Sequence, residues 1–136
     1  MITAVDTNVL VDVFGADPIF GPASKDTIRR SLAEGRLIAC DVVWAEVAGV
    51  FPSATLAREA LQHLGVDFGV LTIESALAAG AAWKVYRQRG GRRDRVIADF
   101  LVGAHALAHA DRLLTRDRGF YRTYFKRLKV LDPSEG

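Results

Sequence analysis

Short apolar blocks alternate along the chain with longer stretches of helical periodicity, and this alternation restricts the fold more than any other feature. The blocks fall at residues 2–5, 37–39, 69–73, 113–114 and 129–131. Between them apolar residues recur at helical spacing, which predicts helices over 8–14, 23–34, 42–50, 55–64, 74–88 and 95–110, with a short one after Arg118. Strands separated by helices pair in parallel, and a parallel sheet is covered on both faces. The expected class is α/β, a three-layer α/β/α sandwich around a central, mostly parallel sheet.

The punctuation agrees. Asp17-Pro18 and Gly21-Pro22 interrupt the chain before the second helix, Gly35 closes that helix, and Gly90-Gly91 ends the long alanine-rich one. At 136 residues the chain is long enough for one real core and too short for two. No repeat or shift in composition divides it, so residues 1–136 are read as a single domain.

A lone cysteine, Cys40, cannot form an internal disulfide and points to the cytoplasm. No stretch approaches the ~18 apolar residues of a membrane span, and the N-terminus has no signal-peptide pattern. The expectation is a soluble chain with no membrane partner. Net charge is only +2, but residues 87–95 carry five arginines, and a second basic run extends from Arg112 to Lys129. Such runs suit a phosphate backbone, or simply face solvent. Arg92, Arg93, Arg95, Arg116 and Arg118 are the residues to consider for such contacts.

Four acids occupy unusual places. In an open parallel sheet ligands bind outside the carboxyl ends of the strands, and Asp6 and Asp117 each follow an apolar strand. Helix capping or turn formation would also explain either one. Asp6 looks surplus as a cap, because Thr7 or Asn8 would serve. Glu46 is the only charged residue in VVWAEVAGVF, a helix apolar enough to be largely buried, where a carboxylate needs a partner or a narrow polar strip open to solvent. Asp99 is the only acid between Asp94 and Asp111. Its helical stripe holds Gly103 and Ala106, so a neighbour can approach closely there.

The four acids are 40, 53 and 18 residues apart, which excludes a local ion-binding loop of the twelve-residue kind. Convergence at one sheet edge would raise some of their pKa values and would be relieved by a divalent cation. Oxygen-only ligands favour magnesium or manganese, and with them phosphoryl transfer or phosphodiester hydrolysis. A magnesium-dependent aspartyl-phosphate phosphatase is one alternative, but it carries a second acid two residues after the first, where this chain has Asn8. A receiver-like signalling domain needs paired acids at the first strand end and a lysine after the last strand. Here Asp6 is unpaired and Lys129 precedes Val130.

The stretches VDTNVLVD around Asp6, VWAEV around Glu46, RVIADFLVGAHAL around Asp99 and LLTRDRGFY around Asp117 together resemble the PIN-domain ribonucleases, specifically VapC-type toxins of bacterial toxin-antitoxin pairs. They occur in the family's order and span essentially the whole chain. The resemblance implies a PIN-like three-layer fold and a magnesium- or manganese-dependent endoribonuclease. It also implies that Asp6, Glu46, Asp99 and Asp117 are the acidic quartet. Thr7, Asn8 and Thr115 match polar positions beside those acids, where they would orient a carboxylate or a water. Further implications are an RNA substrate, a homodimer, and a cognate VapB-type antitoxin whose C-terminal segment occupies the active-site groove. A PIN-like RNA-binding module without catalysis is the remaining alternative.

Other residues carry weaker signals. His105 and His109, four apart, lack the glutamate of a metalloprotease motif and fall away from Asp99 around the helix. Asp12 lies six residues beyond Asp6, close to the same end of the first helix, where it could approach the pocket, and Asp94 is expected to pair with the arginines around it. Trp44, Trp83 and Phe100 are expected in the core rather than as base-stacking platforms.

Overall fold

The computed structural model describes residues 1–92 and 97–135. Among these, the first strand β1 (Ile2–Val5) is followed by α1 (Thr7–Phe14) and α2 (Gly21–Glu34), then β2 (Arg36–Cys40), α3 (Asp41–Ala48) and α4 (Ala54–Leu64). β3 (Val66–Gly69), α5 (Ile73–Gln88), α6 (Ile97–His109), β4 (Arg112–Leu114), α7 (Arg118–Tyr124) and β5 (Val130–Leu131) complete the order, with a 3-10 turn at Pro133–Glu135. The strands form one sheet in the order β3-β2-β1-β4-β5. Every neighbouring pair is parallel, and helices cover both faces, giving the expected three layers.

That strand order places β1 at the centre. The chain proceeds outward to β2 and β3 on one side and to β4 and β5 on the other, so the order reverses between β1 and β4. A parallel sheet opens a crevice at the carboxyl end of such a pair. Registration of Val5 against Leu114 sets Asp6 and Thr115 side by side at that end, and Asp6 N–H donates to the Leu114 carbonyl at 2.9 Å.

The core lies on the two sheet faces. Leu37, Leu113 and Leu114 from the strands, Leu10, Ile28 and Leu61 from the helices, and Phe100 and Tyr121 are fully buried. Phe100, Phe120 and Tyr124 join Tyr86 and Phe125 in a run of edge-on and tilted ring contacts that binds α5, α6 and α7 together. Such pairs add roughly 0.5–1.5 kcal/mol each beyond their buried area. Phe100 is in the core as expected. Trp44 and Trp83 are half-buried at its margin, with the Arg87 guanidinium 4.3 Å above the Trp83 ring.

Two expectations from the sequence need correction. The third strand is Val66–Gly69 rather than 69–73. Gly65 adopts a left-handed φ of 93° as it closes α4, a conformation that favours glycine, and the chain enters the sheet at the next residue. Val70 to Thr72 then lead into α5, where the Thr72 hydroxyl accepts from Ser75 N–H. The apolar run therefore straddled a strand end and a helix start. The third helix is also less buried than its composition suggested. Only Val43 and Val47 are buried, and it stops at Ala48, leaving Val50 exposed. Among the described residues no helix is long and apolar enough to cross a membrane.

Candidate active site

Asp6, Glu46, Asp99 and Asp117 all line one cleft of about 370 Å³ at the carboxyl end of the sheet, together with Thr7, Asn8, Asp12 and Arg116. Each acid arrives on a different element. Asp6 follows β1, Glu46 is on α3, Asp99 is in the first described turn of α6, and Asp117 precedes α7. The wide sequence spacing of the quartet is thus the spacing of the secondary structure.

Asp6 is buried and serves two structural purposes at once. It is the N-cap of α1, its Oδ1 accepting from Thr7 N–H at 2.8 Å. The cap is therefore Asp6 itself, not Thr7 or Asn8, and the acid is not surplus to the helix. Its Oδ2 accepts from the Thr115 hydroxyl at 2.8 Å and from the Tyr121 hydroxyl at 3.2 Å. Burial pushes the Asp6 carboxyl up to about 6, and the Asp99 charge adds to it, while the hydrogen bonds from Thr115, Thr7 and Tyr121 pull the other way. Desolvation and a like charge prevail over three donors.

The polar residues beside the acids form a connected set. The Thr7 hydroxyl donates to Glu46 Oε1 at 2.8 Å, so the exposed Glu46 is tied to α1 across the cleft. Asn8 clasps the loop after β4: its Nδ2 donates to Thr115 Oγ1 at 3.4 Å, and its Oδ1 accepts from Arg116 N–H at 3.3 Å. Thr115 Oγ1 also accepts from Asp117 N–H at 3.0 Å. Since that oxygen receives two donors, its own proton is committed to Asp6.

The basic residues divide. Arg116 lines the cleft, but its guanidinium is bidentate on buried Asp12, with Nε to Oδ2 at 2.6 Å and Nη2 to Oδ1 at 3.1 Å. It also lies 4.0 Å over the Phe20 ring. Arg118 is turned elsewhere, onto Glu135 at 3.0 Å and Asp132 at 3.8 Å. Arg92 is exposed, its carbonyl accepting from the Tyr86 hydroxyl at 2.7 Å. Arg93, Arg95 and Asp94 lie outside the described residues. His105 and His109 are not in the cleft; the buried His105 ring stacks 5.1 Å from His109. The close neighbour admitted by Gly103 is the Phe125 ring, which a Cβ would meet at 2.6 Å.

Of two further participants, one escaped the sequence and the other, Asp12, lines the cleft it was read as able to approach. Tyr121 gave no signal beyond lying four residues after Asp117, one helical turn on. Asp12 did carry one, an acid within the apolar run VLVDVF, and its burial against Arg116 explains it.

A family model described as the PIN domain matches residues 3–126. The chain belongs to the PIN-domain family. All four cleft acids of this PIN domain fall inside the matched segment. VapC ribonuclease Mb1587 of Mycobacterium bovis is 30% identical over 121 residues, covering 85% of this chain and 87% of the relative. Ribonuclease VapC11 of Mycobacterium tuberculosis matches to the same extent. Among solved structures, VapBC2 from Rickettsia felis bound to a promoter DNA fragment superposes with a TM-score of 0.76 at 17% identity, over 97% of this chain and 98% of that one. VapBC-1 from nontypeable Haemophilus influenzae gives 0.75 at 19%, over 98% and 99%. These likenesses show the PIN fold.

The donor set of this PIN domain fits a hard divalent cation. It is oxygen-only, and burial beside a second acid leaves Asp6 costly to ionise without a counter-charge. Among the described residues no group of three or more His, Cys, Asp or Glu side chains is placed so that it could hold a metal ion, so a cation in this cleft would rest on one or two of the carboxylates rather than on all four. An open set of carboxylates suits magnesium, which takes one or two of them and keeps several waters.

Proposed function

We propose that this chain is a magnesium- or manganese-dependent endoribonuclease, the toxin of a toxin-antitoxin pair, acting in the cytoplasm. The observation that carries the reading is the convergence of Asp6, Glu46, Asp99 and Asp117 on one cleft at the sheet's switch point. The family's VapC members supply the substrate class, being named ribonucleases at 30% identity. A divalent cation bound there supplies positive charge for the scissile phosphate and lowers the pKa of water for in-line attack.

The chain's own residues do the rest. Asp6 and Asp117, from adjacent strand ends, present carboxylates at the floor of the cleft, and Asp99 adds a third from α6. Glu46, held by Thr7, stands at the exposed mouth as a carboxylate able to take a proton from solvent-side groups. Arg116, anchored by Asp12 at the cleft wall, keeps a fixed positive charge where the phosphate backbone would pass.

Two protein partners complete the proposal. The helix α5 exposes Ile73 and Leu77 at 77% and 70%, too much apolar surface on one stripe to leave in water, and a second copy of the chain is the proposed cover. A VapB-type antitoxin is the proposed inhibitor, since the solved neighbours are VapBC pairs. Val11 is shared by the acidic cleft and an adjoining apolar cleft lined by Phe14, Val50 and Phe51, which gives its segment a continuous path.

Purified protein incubated with total RNA tests the reading. Cleavage is expected with magnesium or manganese and not with chelator, and Asp6→Asn or Asp117→Asn is expected to abolish it. Binding of RNA without cleavage under every cation would select the non-catalytic alternative. Growth arrest on expression, relieved by co-expression of the adjacent gene, tests the toxin assignment.

A further inference from the structure

Tyr121 is a buried polar group that nothing in the proposed chemistry uses. It is 0% exposed, stands among Phe120 and Phe125, and yet spends its hydroxyl on a carboxylate rather than on backbone. Burial and the charges of Asp6 and Asp99 push its pKa upward, so it remains a protonated donor.

The lone pairs of Asp6 can be counted. An ionised carboxylate has about four acceptor sites, two on each oxygen. Oδ2 accepts from Thr115 at 2.8 Å and from Tyr121 at 3.2 Å, which occupies both of its sites. Oδ1 accepts from Thr7 N–H at 2.8 Å, and one site remains. We infer that Tyr121 is a positioning residue of the cleft: with Thr115 it saturates Asp6 Oδ2, so that Asp6 offers a divalent cation a single oxygen, Oδ1, in a fixed orientation. This rests on the reading of Asp6 as a cation ligand.

The arrangement has a chemical consequence. A carboxylate that gives one oxygen suits the small octahedral shell of magnesium or manganese, whereas calcium takes carboxylates in one- or two-oxygen modes within a larger, flexible shell. Tyr121 and Thr115 therefore also bias the site against two-oxygen binding. Outer partners of this kind typically change metal affinity 10–100-fold when removed.

The test is Tyr121→Phe, which keeps the ring and deletes only the hydroxyl. Manganese binding is measured by calorimetry on the full chain without RNA, so that the readout does not depend on turnover. The expected result is a dissociation constant for manganese about 10-fold weaker than that of the wild type, with unchanged near-ultraviolet circular dichroism in chelator. Packing alone would alter melting temperature and leave manganese affinity where it was. A folded Tyr121→Phe chain that binds manganese like the wild type overturns the inference. Should Tyr121→Phe not fold, Thr115→Val removes the other donor to the same oxygen, and unchanged manganese affinity there is equally fatal. A wild type that binds no manganese at millimolar concentration, or an Asp6→Asn chain that binds it as well as the wild type, instead overturns the cation reading of Asp6 itself.

Discussion

The Thr7 hydroxyl reaches Glu46 Oε1 across 2.8 Å and so ties the only exposed member of the acidic set to the helix that Asp6 caps. Glu46 is exposed, and an unrestrained glutamate would sample many rotamers. Thr7→Val keeps the shape and deletes the donor. Cleavage is expected to fall on the order of 10-fold, while Thr7→Ser keeps most of it. The melting temperature should hardly move, since an exposed side-chain bond contributes about 1 kcal/mol or less. Rates for the three chains on one RNA, with melting curves, decide this; a Thr7→Val chain at wild-type speed would remove Glu46 positioning from the mechanism.

The elevated Asp6 carboxyl predicts an inverted pH dependence of stability in chelator. Its ordinary value is 3.8 and burial lifts it to about 6. Between these values the folded chain keeps the proton that the unfolded chain has released, so stability falls as pH rises through this window and stays lower above it. The loss attributable to Asp6 is roughly 3 kcal/mol. Asp6→Asn should lack it, so the stability difference between variant and wild type should shift in favour of the variant from pH 4 to pH 7. Magnesium should return stability to the wild type only. Urea unfolding across that range is the measurement, and parallel curves for the two chains would contradict the assigned cause.

Arg116 and Arg118 were indistinguishable as members of one basic run, and their surroundings now separate them. Arg116 is bidentate on an Asp12 side chain only 5% exposed, whereas the 47% exposed Arg118 reaches the equally buried Asp132 only at 3.8 Å and otherwise holds the 41% exposed Glu135. Removing one partner of a buried pair leaves the other charge stranded, and the half-open position of Arg116 tempers this to about 2 kcal/mol. Arg116→Ala should therefore lower the melting temperature by roughly 5–10 °C and weaken RNA binding. Arg118→Ala should leave the melting temperature close to that of the wild type, because solvent screens an exposed pair. Similar melting temperatures for both variants would mean that the Asp12 pair is not formed in solution.

The alternation of apolar blocks was enough to read the layers and the direction of the strands, because period and punctuation are local properties. The four acids were legible for related reasons: Glu46 and Asp99 interrupt apolar stretches in which a charge has no packing role, and Asp6 and Asp117 follow apolar strands at the end where such a sheet binds ligands. What was not legible depended on partners distant in sequence. Nothing near Tyr121 announces that its hydroxyl meets Asp6, 115 residues away. The third strand was displaced because 69–73 is apolar across a strand end and a helix start, and only the left-handed Gly65 fixes where the sheet is entered. The third helix was judged by composition, which counts apolar residues without saying which of them have a neighbour.

Gly103 illustrates the same limit and gives the last prediction. The small stripe beside Asp99 was readable as room for a close approach, but not for whose. The Phe125 ring fills it, and a Cβ on residue 103 would meet three ring atoms at 2.6 to 2.8 Å. Phe125 is itself buried against Phe100 and Tyr121, so it has little freedom to withdraw. Gly103→Ala therefore gains helix propensity of about 1 kcal/mol and loses roughly 1–3 kcal/mol to overpacking, for a net destabilisation. Because Tyr121 touches both Phe125 and Asp6, the same displacement should weaken manganese binding. Gly103→Ala combined with Phe125→Leu, which trades the ring for a smaller side chain, should recover part of the lost stability. A single Gly103→Ala variant as stable as the wild type, measured by urea unfolding, would show that α6 and α7 can separate at this contact without cost.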